Sequence, residues 1–145
     1  MRKYLLFLLV LSILSCKDNT GKEQTAPLAQ SDKSPELKES ISRGASIYSN
    51  FCASCHLSGG QGIEGVFPPL NKSNWLTEKR KETIHAVKYG LNGLIEVNGV
   101  EYDNLMPELG LTDQETADVL NYIFHSWENS VKEPVSAEEV SAIAK

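Results

Sequence analysis

Residues 51–59 read FCASCHLSG: two of the chain's three cysteines stand three positions apart, and a histidine follows the second directly. Two thiols and an imidazole this close restrict the chain to a metal knot, a redox-active dithiol or a covalent tether for a haem. Each chemistry asks for a different fold. A thioredoxin-like dithiol opens a helix after a buried strand, where the helix dipole lowers the first thiol's pKa; here Cys52 closes a helical pattern and no βαβ alternation surrounds it. A structural zinc site needs four ligands, and His85 or His125 would have to supply the last one from no familiar ligand spacing. A haem tether uses every residue: the thiols of Cys52 and Cys55 add across the vinyl groups, and His56 falls under the iron as an imidazole ligand.

The flanking pattern is mostly helical. SPELKESISRGASIYSNFC has Ser34 as a cap, Pro35 at the first helical position, and apolar residues at Leu37, Ile41, Ala45, Tyr48 and Phe51, which predicts an amphipathic helix delivering Phe51 and Cys52 at its end. LSGGQGIEGVFPPLNKSN is loop, rich in glycine and proline without a period. A second helix is expected in TEKRKETIHAVKYGLNG, capped by Thr77, with Ile84, Val87 and Leu91 on one face. Asn98-Gly99 between Val97 and Val100 predicts a tight hairpin. Thr112 and Glu115 form a capping-box pattern ahead of a stripe of Val119, Tyr122, Ile123 and Trp127, and Ser136 with Glu139 opens a last short helix.

The beginning of the chain has another character. Arg2 and Lys3 precede an apolar run from Tyr4 to Leu14, the pattern of an export signal over 1–15. Ile13-Leu14-Ser15-Cys16 resembles a bacterial lipobox, which predicts cleavage before Cys16 and lipidation of it. That cleavage removes two positive charges and takes the net charge from −5 to −7. So acidic a chain argues against nucleic acid and favours partners with a positive docking patch. Residues 16–34 read as a lipidated end and a polar tether, with too few apolar side chains to fold; eighteen flexible residues span roughly 20–25 Å. Residues 35–145 make one small domain, whose modest core a bound apolar cofactor would extend.

RGASIYSNFCASCH, GVFPPL, GLNGLIEVNG, NLMP and LTDQETADVLNYIFHSW, in that order, resemble the class I mono-haem c-type cytochromes over essentially the whole domain. The resemblance implies an all-α, cytochrome c-like fold wrapped around one covalently bound haem c, with a short hairpin-like loop before an axial methionine. Met106, the only methionine besides the initiator, stands in the matching Met-Pro, which implies His56 and Met106 as the two axial ligands. His85 and His125 are rival ligands and read better as surface or packing residues. By the same carry-over, the Pro68 carbonyl accepts the Nδ1 proton of His56, Gly44 and Tyr48 meet Tyr122, and Tyr102 or Trp75 reaches a propionate.

The longer LIEVNGVEYDN region resembles bacterial lipoprotein cytochromes and cytochrome domains of larger oxidoreductases. The resemblance implies a one-electron carrier between redox protein partners, not an enzyme and without a small-molecule substrate. It would be held by its lipid to a membrane of the bacterial cell envelope, facing the periplasm or the cell surface. The alternatives are a haem subunit of a larger membrane oxidoreductase, or a haem sensor or enzyme that binds a small ligand.

Overall fold

The computed structural model describes residues 34–129 and 131–145. The signal segment, Cys16 and all of the tether before Ser34 lie outside the described residues. Helix α1 (Pro35–Ile47) starts where Ser34 Oγ accepts the Leu37 amide at 3.2 Å. It runs on through a π-helical turn (Tyr48–Cys52) into the short α2 (Ala53–His56). The buried positions are Ser40, Gly44, Tyr48 and Cys52, whereas Leu37, Ile41 and Ala45 are half-buried and Phe51 is 46% exposed. Of the expected apolar stripe, Tyr48 is buried beside Cys52, whereas Phe51 faces outward. A π turn winds more loosely than an α turn and re-aims the residues around it, and the inward face is the one that fits the crossing with the long C-terminal helix.

That helix, α5 (Asp113–Phe124), begins with a capping box: Thr112 Oγ1 accepts the Glu115 amide and Glu115 Oε2 accepts the Thr112 amide. It packs most extensively against α1. A Cβ on Gly44 would overlap the Asp118 carbonyl and sit 2.9 Å from Tyr122 Cβ, so only glycine allows this approach. Beside it, Arg43 and Ser40 both donate to the carboxylate of Asp118, which is 1% exposed. Tyr48, Tyr122 and Trp127 form an aromatic cluster with centroids 5.1–5.6 Å apart. Trp127 lies past the end of α5, at φ 51, not on the helical stripe.

The single second helix expected from Thr77 is two: α3 (Asn74–Glu78) and α4 (Arg80–Tyr89), broken at Lys79 with φ −123 and ψ 49. Thr77 is inside α3, where its hydroxyl donates to the Asn74 carbonyl. A tertiary contact explains the earlier start: Asn74 and Asn98 exchange reciprocal amide hydrogen bonds of 2.9 and 2.8 Å, pinning α3 to the hairpin turn. The hairpin pairs β1 (Ile95–Val97) with β2 (Val100–Tyr102) in the register Ile95↔Tyr102 and Val97↔Val100. Asn98 and Gly99 have φ 52 and 81, as a two-residue turn with both central residues left-handed requires. Val97 and Tyr102 turn inward while Glu96 and Glu101 face out. Helix α6 (Ala137–Ser141), capped by Ser136, closes the domain with Val140 buried. No helix among the described residues is long and apolar enough to cross a membrane.

Candidate haem site

The cysteine motif sits where the α1 hydrogen-bonding pattern changes. Cys52 ends the π turn and is buried; Cys55 and His56 are on α2, and both thiols are unbridged. Burial, with the nearby Cys55, pushes the Cys52 thiol up to about 11, so it stays protonated at neutral pH. A thiol-disulfide centre needs the reverse, a lowered thiol pKa. The turn after His56 is held from behind: Leu57 has φ 61, and Tyr48 Oη donates to its carbonyl at 2.7 Å.

His56 Nδ1 lies 2.9 Å from the Pro68 carbonyl oxygen. A carbonyl only accepts, so Nδ1 carries the proton, and in the neutral ring Nε2 keeps its lone pair. Burial lowers the pKa of His56, opposed by the Pro68 contact, and thereby favours the neutral imidazole a metal requires. Pro68 belongs to the loop between α2 and α3, which folds back through an antiparallel bridge between Ile63 and Phe67.

Met106 reaches the same place from the other end of the domain. Its amide and carbonyl pair with those of Leu91 at 2.8 and 2.9 Å, an isolated bridge that ties the Met-Pro segment to the exit of α4. Gly90 makes that exit possible: it has φ 82, and a Cβ there would stand 2.6 Å from the Met106 carbonyl oxygen. Nothing in the spacing of the sequence signalled the Leu91 pairing.

Two adjoining recesses of about 650 and 830 Å³, mouths included, are both lined by Cys52, His56, Pro68 and Met106. Trp75 faces the first of them; Cys55 and Tyr102 face the second. The walls are mainly apolar, with Leu76, Val87, Val119 and Leu120 in the first and Phe51, Phe67 and Leu105 in the second. Ser73 and Thr83, which the sequence did not single out, are buried polar residues on the first wall. His85 and His125 line neither recess: His85 sits edge-on to Tyr89 at 5.2 Å, and His125 Nδ1 donates to the Asn121 carbonyl at 2.8 Å. Among the described residues no three His, Cys, Asp or Glu side chains converge as a metal cluster, which leaves zinc without its ligands.

Apolar walls, two thiols, one imidazole with a free Nε2 and one thioether around a shared space suit a flat apolar macrocycle whose iron takes nitrogen and sulfur ligands. The fold and this donor set define a small haem-binding domain. The sequence profile of the cytochrome c family matches residues 41–127, and the chain belongs to that family, as a mono-haem class I c-type cytochrome with one covalently bound haem c. It is 41% identical over 109 residues to cytochrome c-552 of Thermus thermophilus, covering 69% of this chain and 82% of that protein. It is 35% identical over 106 residues to the gluconate 2-dehydrogenase cytochrome c subunit of Pantoea cypripedii, covering 70% of this chain and 24% of the subunit. With the Cbb3-type cytochrome c oxidase subunit FixP of Sinorhizobium medicae it shares 34% identity over 97 residues, 61% of this chain and 31% of that one. The family and these relatives make it an electron-transfer haem protein.

Proposed function

We propose that Cys52 and Cys55 hold the haem through two thioethers, that His56 and Met106 are its axial ligands, and that the chain is a membrane-anchored one-electron carrier. One observation carries this reading: His56, with Nδ1 committed to Pro68, lines the same apolar space as Met106. The haem supplies the one-electron iron couple when bound. Pro68 fixes the imidazole ring and raises its basicity. The Leu91 bridge holds the Met106 backbone, from which the thioether would serve as the second ligand to the iron. Apolar walls would keep water from the metal, and Trp75 in the first recess or Tyr102 in the second would donate to a propionate.

Cys16, as a lipidated residue after the signal over 1–15, would keep the domain at a membrane of the bacterial cell envelope on a tether over 16–34, facing the periplasm or the cell surface. Redox proteins are its partners, and encounters of this kind are weak and brief. Relatives named as subunits of a dehydrogenase and an oxidase favour a second reading, in which the domain serves inside a larger oxidoreductase. Haem staining of denatured Cys52→Ser and Cys55→Ser variants tests the attachment; undiminished staining in both contradicts it. Met106→Ala tests ligation through the thioether–iron charge-transfer band of the ferric protein, which should disappear while covalent haem remains. Cys16→Ser should move the protein from the membrane to the soluble fraction, and co-purification from detergent-solubilised membranes separates a free carrier from a subunit.

A further inference from the structure

The segment from Met106 to Asp113 is clipped at both of its ends to the same end of α4. At its start, Met106 and Leu91 exchange backbone hydrogen bonds just past the exit of that helix. At its close, Asp113 Oδ1, on the first residue of α5, lies 3.1 Å from the ammonium of Lys88 in the last turn of α4. A third element shares that ammonium. Lys88 Nζ donates to the Val140 carbonyl at 2.9 Å and reaches the Ile143 carbonyl at 3.5 Å, both on the C-terminal segment, and its side chain is only 15% exposed. Tyr89 Oη donates to the Ile143 carbonyl at 3.0 Å, and Lys145 pairs with Glu108, two residues past Met106.

A second basic side chain holds the C-terminal segment at the opposite end of α4. Arg80, the first residue of the helix, makes a two-pronged pair with Glu139 at 2.7 and 2.8 Å and donates to the Glu133 and Pro134 carbonyls. Its partners all belong to residues 133–139, and roughly 12 Å of helix separates it from Lys88. Haem binding accounts for neither cation, since neither lines a recess. The segment they hold lies past residues 41–127, the stretch that the family profile matches.

We propose that Lys88 is a positioning residue for Met106: it locks the far end of the methionine segment to α4 and to the C-terminal segment, and so sets how often the thioether leaves the iron. The proposal rests on Met106 being the second ligand. The Leu91 bridge alone fixes the segment at one point, about which it can swing. A second anchor at Asp113 removes that freedom, and ordering both ends in advance leaves less conformational entropy for the thioether to gain by leaving. Ligand exchange at the ferric iron moves no electron: the sulfur lone pair withdraws and the lone pair of an incoming nitrogen takes its position. The fraction of molecules with the thioether off the iron therefore sets the apparent affinity for an added ligand.

The test titrates the full ferric, haem-loaded chain in detergent with imidazole and follows loss of the thioether–iron charge-transfer band. Lys88→Leu removes the charge without adding a possible ligand, and should tighten apparent imidazole binding by about ten-fold, the factor a part-buried charged hydrogen bond is worth. Asp113→Asn, which is more exposed, should tighten it by about three-fold, and it decides the matter if Lys88→Leu takes up no haem. Arg80→Leu should lower the thermal unfolding midpoint yet leave imidazole binding within about two-fold, a contrast that separates positioning from general stability. Equal tightening in Arg80→Leu and Lys88→Leu overturns the positioning role and leaves Met106 as the ligand. So does unchanged binding in Lys88→Leu, or in Asp113→Asn where the first variant holds no haem. An unaltered chain without the charge-transfer band overturns the ligand reading itself, and the proposal with it.

Discussion

Tyr48 Oη donates a 2.7 Å hydrogen bond to the carbonyl of Leu57, nine residues on and directly after His56. The ring is 2% exposed, wedged against Tyr122 and Trp127. Its hydroxyl thus couples the α1–α5 crossing to the left-handed turn that sets the backbone of the imidazole. Tyr48→Phe should keep the packing and cost about 1 kcal/mol, the net worth of one part-buried hydrogen bond. Urea unfolding checks this; a variant as stable as the unaltered protein would show that the bond holds nothing.

Asp118 gives the fold a sign of pH dependence. Burial pushes its carboxyl up, but hydrogen bonds from Arg43, Ser40 and Gln114 outweigh burial and hold it below the ordinary carboxylate range. A group with a lowered folded pKa contributes stability that is present above its unfolded value, roughly 3.9 for Asp, and is lost as pH falls through the folded one. Asp118→Asn should therefore destabilise the protein at neutral pH and flatten the loss of stability below about pH 4. Equal displacement of the unfolding midpoint at pH 7 and at the acid end would contradict the assignment.

Gly44→Ala places a methyl group against the Asp118 carbonyl and Tyr122 Cβ. Either the helices separate or the side chains around them shift, and overpacking of this kind costs about 1–3 kcal/mol. A lowered melting temperature is expected; a raised one, as from improved helix propensity, would mean that the crossing is looser than the structure has it.

Gly90→Ala probes the Met106 segment without touching the methionine. The substitution strains a backbone at φ 82 and presses on the Met106 and Glu108 main chain, and about 1 kcal/mol or more of stability should be lost where alanine replaces a left-handed glycine. If Met106 is the axial ligand, the ferric charge-transfer band weakens while covalent haem is retained. Unaltered stability together with an unaltered band would show that Gly90 is not needed to shape the loop.

Features set by neighbours in sequence were legible without a fold. The caps at Ser34, Thr112 and Ser136 and the Asn98-Gly99 turn depend on bonds or dihedrals spanning a few residues, and they stand in the structure where the residue pattern puts them. The split of the second helix at Lys79 was not legible, because the Asn74 to Asn98 bonds that anchor α3 cross 24 residues. Nor was the inward face of α1. Its hydrophobic spacing favours Leu37, Ile41 and Ala45, yet contact with α5 requires the small Gly44 and a hydroxyl at Ser40 for Asp118.

By itself the sequence determined the chemistry available: two thiols and an imidazole at fixed spacing, a single methionine in a Met-Pro, and the helices and turn that carry them. These follow from covalent order and local dihedrals, which act over a few residues. Tertiary structure decided what those groups face. Chain closure brings Met106 to the recess of His56 from fifty positions away, through a two-bond bridge to Leu91. It also gathers Phe51, Val66 and Leu105 around the second recess. Such meetings depend on which surfaces pack, a property of the whole core that no local pattern contains.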